Sequence, residues 1–395
     1  MAEAQPGHAA PLADAGEKAA DEPIALVDIG AQYRRLKPVI DARIEAVLER
    51  GAFINGPEID ELEHALAERA NCAAAVGVAS GTDALVIAMR GEGIGAGDAV
   101  FVPTFTYMAS ANAVLLAGAT PVFVDVDERT YMLDPADLAR RIDHIRLDRL
   151  LRPRAVMAVD LFGLPADYSA IEAVAARHGM TVIADAAQSF GGRRDGRPVG
   201  SLAPITAVSF YPSKPLACYG DGGALFSDDA ARAELWRSLR THGTGDDRMQ
   251  AQRVGMNARL DSIQAAVLLA KLTVFDDELA ARERLARLYD ARLDGEVVLP
   301  PRPANAESAW ALYSILTENR DAVAAAMAAA GITTAVYYPH PLHRQPAYRE
   351  QAPVAPLPVS EALSRRILSL PMHPYLGEDR AHRICDVLID AIRRS

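Results

Sequence analysis

Short apolar runs alternate with amphipathic stretches over most of this chain. The apolar runs have the length of buried strands, and the stretches between them place apolar residues at helical spacing. The predicted strands of this part are residues 73–79, 99–102, 121–125, 155–159, 181–185 and 205–211. Strands that alternate with helices in this way predict an α/β domain with a mostly parallel, doubly wound sheet, whose ligands bind at the carboxyl ends of the strands.

The same pattern divides the chain into three parts: a disordered tail at residues 1–22, a large domain at 23–272 and a smaller α+β domain at 273–395. The predicted helices are 33–50, 58–70, 84–89, a helix ending at 117, 134–145, 168–178, 230–240, 260–272, 278–293, 321–330, 360–368 and 380–393. Further strands are predicted at 24–29, 310–317 and 333–337, and a loop at 339–355.

Composition excludes several classes of protein. A chain of 395 residues that is 50% apolar can bury a large core. Its formal net charge of −11 argues against a nucleic-acid binder, so an anionic ligand would need a local basic patch. Three widely spaced cysteines suggest neither a disulfide framework nor a zinc site, and a cytoplasmic location fits best. The sequence has neither the pattern of a signal peptide nor an apolar run of membrane-spanning length.

Residues that could bind a ligand or take part in catalysis follow several of the predicted strands. They are Ser80, Tyr107, Asp185, Ser209 and Lys214. An acid that ends a buried strand, as Asp185 does, costs several kcal/mol of desolvation unless it is paired. Taken singly, Ser80 could be a plain helix cap, Tyr107 a core residue and Lys214 a surface lysine. Their shared position at strand ends favours a ligand site.

These residue types together match the requirements of a pyridoxal phosphate site. Lys214 lies between two prolines and is followed by a glycine cluster that allows close approach to a ligand. A lysine there can bind the cofactor's aldehyde and later move a proton as a free amine. An acid such as Asp185 would keep the pyridine nitrogen protonated.

Two other features leave alternatives open. Residues 232–259 contain six arginines against three acids, which is either a solvated face or a patch for a phosphorylated substrate. His340 and His343 lie on a proline-rich loop with no helix to align them, so no metal site is predicted.

Longer motifs resemble those of the DegT-type, or StrS-type, sugar aminotransferases, which are fold type I pyridoxal phosphate enzymes. The resemblance covers nearly the whole chain after the tail. It rests on S-G-T-D-A-L (80–85), P-T-F-T-Y-M-A (103–109), D-V-D-E-R-T-Y (125–131), I-A-D-A-A-Q-S-F-G (183–191), S-F-Y-P-S-K-P-L (209–216), Y-G-D-G-G-A (219–224), N-A-R-L-D-S-I-Q-A-A (257–266) and L-S-L-P-M-H-P (368–374). It implies a large domain with a seven-stranded type of sheet and a smaller C-terminal domain.

The resemblance also assigns roles to residues. It implies that Lys214 binds the cofactor's aldehyde, that Asp185 pairs with the pyridine nitrogen and that Gln188 bonds the phenolic oxygen. Tyr107 would stack on the ring. The residues that would hold the phosphate are Gly81, Thr82 and Ser209, joined by Asn257 from the neighbouring subunit of a homodimer with shared active sites. A lysine at position 214, where related sugar dehydratases have histidine, favours amino transfer.

Within the family, the sequence looks most like enzymes that move an amino group from L-glutamate to UDP-2-acetamido-2-deoxy-3-oxo-glucuronate. Arg259 and His242 are assigned to anionic groups of the substrate, because a guanidinium suits carboxylate or phosphate. Tyr337 and Tyr338 are placed by the sugar, and Tyr337 departs from the A-V-H-Y-P common in those enzymes. Another dTDP- or GDP-linked ketosugar, an amino-acid transaminase and a non-catalytic regulator remain the alternatives.

Overall fold

The structure is a computed structural model that describes residues 22–351 and 355–394. Apart from Glu22, the tail predicted at residues 1–22 lies outside the described residues. The helices are α1 (Ile29–Arg50), α2 (Pro57–Ala70), α3 (Gly81–Gly91), α4 (Ala109–Leu116), α5 (Pro135–Asp148), α6 (Tyr168–Ala176), α7 (Ala230–Arg240), α8 (Ser262–Leu272), α9 (Phe275–Leu293), α10 (Arg320–Ala329), α11 (Pro358–Arg366) and α12 (Glu378–Arg394). The strands are β1 (Ala74–Val78), β2 (Asp98–Pro103), β3 (Thr120–Val124), β4 (Arg152–Val159), β5 (Thr181–Asp185), β6 (Arg193–Arg194), β7 (Arg197–Pro198), β8 (Ile205–Ser209), β9 (Gly223–Ser227), β10 (Ala306–Glu307), β11 (Tyr313–Leu316) and β12 (Ile367–Leu370).

The main sheet, within the described ranges, has seven strands in the order β1-β9-β8-β5-β4-β2-β3. All neighbouring pairs from β8 to β3 are parallel, and β9 is antiparallel to both of its neighbours. Ala99 and Phe101 of β2 belong to one apolar cluster, whereas Val100 and Val102 belong to another. Because neighbouring strand residues point to opposite faces, both faces of the sheet are covered. The predicted mostly parallel α/β sheet is confirmed.

The register of the central strands determines which residues meet at the carboxyl edge. Val159 of β4 pairs with Asp185 of β5, and Asp185 pairs in turn with Ala207 of β8. The chain segments that follow these three strands therefore start side by side. They carry Asp160, Gln188 and Lys214.

The C-terminal part forms a separate apolar cluster around the antiparallel pair β11 and β12. Helices α9, α10 and α12 contribute to this cluster, and so does Ile24 from the start of the described chain. Helix α9 joins the two parts, because Phe275 packs in the main core and Tyr289 in the C-terminal one.

Two predicted strands are wrong. Of residues 24–29, Ile24 makes one bridge to Ile332, and α1 begins at Ile29 because the Asp28 carboxylate accepts a hydrogen bond from the Ala31 amide at 2.8 Å. In the described structure, residues 333–337 contribute a single bridge, between Ala335 and Ser369. Both segments are apolar enough to resemble strands, but neither has a partner strand along its length.

One helix boundary and one strand also differ from the prediction. The helix predicted at 360–368 ends at Arg366, since the next four residues pair with β11 as strand β12. Strand β9 was not predicted, because it begins inside the glycine cluster at Gly223 and glycine is uncommon in strands. Its position matters, since it places Gly223 opposite Ser209.

Candidate active site

Asp185 lies at the carboxyl end of β5 with only 6% of its surface exposed. Its carboxylate accepts hydrogen bonds from Ser110 Oγ at 2.6 Å and from the Ala187 amide at 3.3 Å. Burial raises the pKa of the Asp185 carboxyl, while the Ser110 hydrogen bond and the charge of Lys214 act in the opposite direction. The acid is thus held in one orientation at the edge of the sheet.

Lys214 lies on the loop that joins β8 to β9. The loop is closed by its own backbone, because the Lys214 amide donates to Tyr211 O and the Cys218 amide donates to Phe210 O, both at 2.8 Å. Burial lowers the pKa of the Lys214 amine to about 8, although the nearby Asp185 carboxylate opposes this change. An amine with this pKa is partly neutral near physiological pH and can act as a nucleophile.

The start of α3 packs closely against Ser209 and Gly223, the two residues on either side of the same loop. The Ser80 hydroxyl caps the helix by accepting from the Asp83 amide at 3.0 Å, which leaves the Gly81 and Thr82 amides without an acceptor inside the helix. A Cβ atom on Gly81 would lie 2.7 Å from Ser209 Cβ, and one on Gly223 would lie 2.6 Å from the Ser80 carbonyl carbon. Glycine is therefore required at both positions, and the free amides suit an anion such as a phosphate.

Three of the predicted residues form one aromatic and amide cluster. Tyr107 is 51% exposed, and its ring centroid lies 6.2 Å from that of Tyr338. The Tyr338 hydroxyl accepts a hydrogen bond from Gln188 Nε2 at 3.1 Å, and Gln188 Oε1 accepts from the Phe162 amide at 2.7 Å. Tyr337 packs against Tyr338 with ring centroids 5.7 Å apart. The structure therefore brings Tyr338 into contact with Gln188 and Tyr107, and Tyr337 joins this cluster through its contact with Tyr338.

His242, Asn257 and Arg259 lie on a segment next to the end of β1. The Ala79 amide donates to Ala258 O at 2.9 Å, and the His242 amide donates to Met256 O at 2.8 Å. The side chains of His242 and Asn257 are exposed. Arg259 is partly buried, and its buried Nε has no hydrogen-bond partner among the described residues.

The six arginines of residues 232–259 do not form one patch. Arg232 is paired with Glu92 at 2.9 Å, and Arg237 with Glu63 at 3.0 Å. Arg240 donates to Gly77 O at 2.6 Å and also pairs with Glu63. The other three are Arg248, Arg253 and Arg259. The cations left for a ligand are therefore fewer than the sequence suggests.

Sequence reasoning missed Ser110, which donates to Asp185, and Asp160, which follows β4 as a buried acid. Asp160 carries the same signal that identified Asp185, an acid at the end of a buried strand. His343 is not a metal ligand here: its Nδ1 lies 2.8 Å from Thr104 Oγ1 and its Nε2 lies 3.1 Å from Glu361. Within residues 22–351 and 355–394, no group of three or more His, Cys, Asp or Glu residues could hold a metal ion.

A pyridoxal phosphate molecule fits this arrangement. The surface between Gly81, Ser209 and Gly223 suits its phosphate, the buried carboxylate of Asp185 suits its pyridine nitrogen, and the Lys214 amine suits its aldehyde. Fold and site together thus define a pyridoxal phosphate-dependent enzyme.

Comparison with known proteins narrows this class. The model of the DegT/DnrJ/EryC1/StrS aminotransferase family matches residues 35–389, and the chain belongs to that family. Within the class it is therefore a pyridoxal phosphate-dependent sugar aminotransferase.

Individual relatives cover almost the whole chain. A Pseudomonas aeruginosa protein named UDP-2-acetamido-2-deoxy-3-oxo-D-glucuronate aminotransferase is 44% identical over 92% of this chain and 99% of the relative. A Streptomyces venezuelae protein named dTDP-3-amino-3,4,6-trideoxy-alpha-D-glucose transaminase is 40% identical over 94% and 95%. The crystal structure of a DegT DnrJ EryC1 StrS aminotransferase from Brucella abortus has a TM-score of 0.92 and 46% identity over 93% of this chain and 99% of that one.

No helix of the described residues is both long enough and apolar enough to cross a membrane.

Proposed function

We propose that this protein transfers the amino group of L-glutamate to the C3 keto group of a UDP-linked sugar, with UDP-2-acetamido-2-deoxy-3-oxo-glucuronate as the first candidate. The proposal rests on one observation. The Lys214 amine, the Asp185 carboxylate and the free amides at the start of α3 all lie at one edge of the sheet. The two relatives above support C3, because both names place the exchanged group at that carbon. The relative with 44% identity favours the uridine nucleotide and the sugar acid.

The reaction has two halves that balance each other. Glutamate leaves as 2-oxoglutarate, and the ketosugar leaves as the amino sugar. Bound pyridoxal phosphate supplies an aldehyde that stores the amino group between the halves and a ring that withdraws electrons from the carbon losing its proton.

Side chains and backbone amides of the protein would hold the cofactor and move protons. Lys214 Nζ would hold the aldehyde and, as a free amine, would carry a proton to and from the substrate carbon. The Asp185 carboxylate, held by Ser110, would keep a proton on the pyridine nitrogen. The Gly81 and Thr82 amides and the Ser209 hydroxyl would hold the phosphate, while Tyr107 would lie against the ring and Gln188 would bond the phenolic oxygen.

Arg259 and His242 would receive the anionic groups of the substrates, and Tyr337 would contact the sugar. The unpartnered Nε of Arg259 supports this role, because a buried guanidinium nitrogen without a partner is costly. Tyr338, through its bond to Gln188, would connect the sugar side to the cofactor side.

A labelled-nitrogen experiment tests the function directly. The purified protein is incubated with ¹⁵N-glutamate and a panel of UDP-, dTDP- and GDP-linked 3-ketosugars, and the products are analysed by mass spectrometry. We expect ¹⁵N in the UDP-linked amino sugar. If glutamate does not change the absorbance of the bound cofactor, glutamate is not the amino donor and the proposal fails at its first half. Turnover of plain keto acids with no sugar product would point instead to an amino-acid transaminase.

We also infer a homodimer with shared active sites. The exposed side chain of Asn257 supports this, since it is available to the phosphate site of a second copy. Mixing inactive Lys214→Ala and Asn257→Ala variants under exchange conditions provides the test. In a mixed dimer, one site would receive both intact residues, so activity should return. No recovery despite proven subunit exchange would contradict shared sites.

A further inference from the structure

Asp160 is a buried acid directly beside the proposed cofactor site. It follows β4, and its amide donates to Asp185 O at 3.0 Å, which extends the pairing of β4 and β5 by one residue. Only 1% of its surface is exposed. Among the described residues it forms no ion pair, so its charge is balanced by hydrogen bonds alone.

Three donors converge on the Asp160 carboxylate. Oδ1 accepts from the Ala166 amide at 2.8 Å and from the Tyr168 hydroxyl at 2.6 Å, and Oδ2 accepts from Ser189 Oγ at 2.6 Å. Burial raises the pKa of Asp160 to about 6, and the charge of Asp185 acts in the same direction. A buried carboxylate without a cation is costly, so these contacts are needed to keep it there.

The contact with Ser189 connects Asp160 to the turn that follows β5. Ser189 comes directly after Gln188, and its amide donates to Ala186 O at 3.1 Å. A second contact joins the same two segments, because the Phe162 amide donates to Gln188 Oε1 at 2.7 Å. The turns after β4 and β5 are thus joined at two points, one of which is Asp160.

We propose that Asp160 is a positioning residue of the cofactor site: through Ser189 it holds the turn after β5 so that Asp185 and Gln188 face the cofactor. The inference rests on the roles proposed above for Asp185 and Gln188. Asp160 itself touches neither cofactor nor substrate.

The chain offers a matched control in Asp125. This acid follows β3 at the same edge, is 6% exposed, and accepts hydrogen bonds from the amides of Val126, Val359 and Ser360 at 2.9 to 3.0 Å. It holds the start of α11 and has no contact with Ser189 or Gln188 in the described structure. Asp125→Asn and Asp160→Asn therefore remove the same charge from similar surroundings, and only the second affects the turn after β5.

The experiment measures pyridoxal phosphate affinity and unfolding temperature of the apo form for both variants. We expect both to unfold at lower temperature, but only Asp160→Asn to bind pyridoxal phosphate about tenfold more weakly, with an altered absorbance of the bound cofactor. If Asp160→Asn loses stability while its affinity and spectrum match those of Asp125→Asn, Asp160 is merely structural and the inference is wrong.

A second pair covers the case in which Asp160→Asn does not fold. Ser189→Ala removes the donor to Asp160, and Ser360→Ala removes the corresponding donor to Asp125, a contact of 2.5 Å. We expect weaker cofactor binding for Ser189→Ala alone, and equal binding by the two would overturn the inference. Because cofactor affinity is measured without a sugar, a failure of the ketosugar assay would leave this result intact.

Discussion

The two sides of the active site differ in how firmly the fold holds their side chains. At the carboxyl edge, Asp185 is buried and receives two hydrogen bonds, and Lys214 sits on a loop closed by its own backbone. On the segment with His242 and Asn257, only the backbone is held, and both side chains are exposed. Folding of the chain therefore fixes the orientation of Asp185 and the loop of Lys214, whereas it leaves the side chains of His242 and Asn257 at the surface.

The largest effect should come from Lys214→Ala. Losing a positioned base and covalent attachment point should lower kcat by about 10³-fold or more. The control is Lys271→Met, because the pKa of this buried lysine is likewise lowered to about 8. Steady-state rates of both variants provide the measurement. If kcat falls by a similar factor in both variants, the result does not identify Lys214 as the catalytic lysine.

The lowered pKa of Lys214 predicts how cofactor binding depends on pH. Below a pKa of about 8 the amine is protonated, and above it the neutral nucleophile dominates. The rate at which the apo form takes up pyridoxal phosphate covalently should therefore rise with pH, by about fifty-fold between pH 6 and pH 8. Stopped-flow absorbance measures this rate. A midpoint near 10 would show that burial does not shift this amine.

Gly81→Ala should weaken cofactor binding about tenfold or more, because the added Cβ would lie 2.7 Å from Ser209 Cβ and push the phosphate-binding amides away. The control is Gly95→Ala, where the nearest atom to the new Cβ is Ala117 O at 3.5 Å. Fluorescence titration of the apo forms with pyridoxal phosphate gives both affinities. Unchanged pyridoxal phosphate affinity in Gly81→Ala would mean that the start of α3 does not bind the phosphate.

Much of the cofactor side was predictable because it depends on local patterns. The pattern of buried strands predicts that Asp185 and Lys214 lie at the carboxyl edge of the sheet, and Ser80 was predicted there as either a helix cap or part of a ligand site. Ser110 was missed because its contact with Asp185 spans 75 residues of sequence. The two interpretations of the arginine-rich segment could not be separated for a similar reason: its acidic partners, Glu63 and Glu92, lie on distant elements.

Arg259→Ala tests the substrate side. Loss of a guanidinium–anion contact should raise KM for one substrate about tenfold and leave cofactor affinity unchanged. The control is Arg248→Ala, an exposed arginine of the same segment. Separate KM values for glutamate and for the ketosugar will show which substrate Arg259 binds. If neither KM changes, Arg259 binds neither substrate.

The smallest effect, and the sharpest division between the two sides, should come from the adjacent residues Tyr337 and Tyr338. Tyr338→Phe removes the acceptor of the Gln188 amide, so cofactor binding should weaken about threefold to tenfold. Tyr337→Phe leaves that contact intact, so it should raise KM for the ketosugar by about the same factor while cofactor affinity stays constant. Titration with pyridoxal phosphate and sugar kinetics on both variants measure the two effects. Were both substitutions to alter cofactor affinity equally, the two sides of the site would not be separable at this point, because both hydroxyls would then act on cofactor binding.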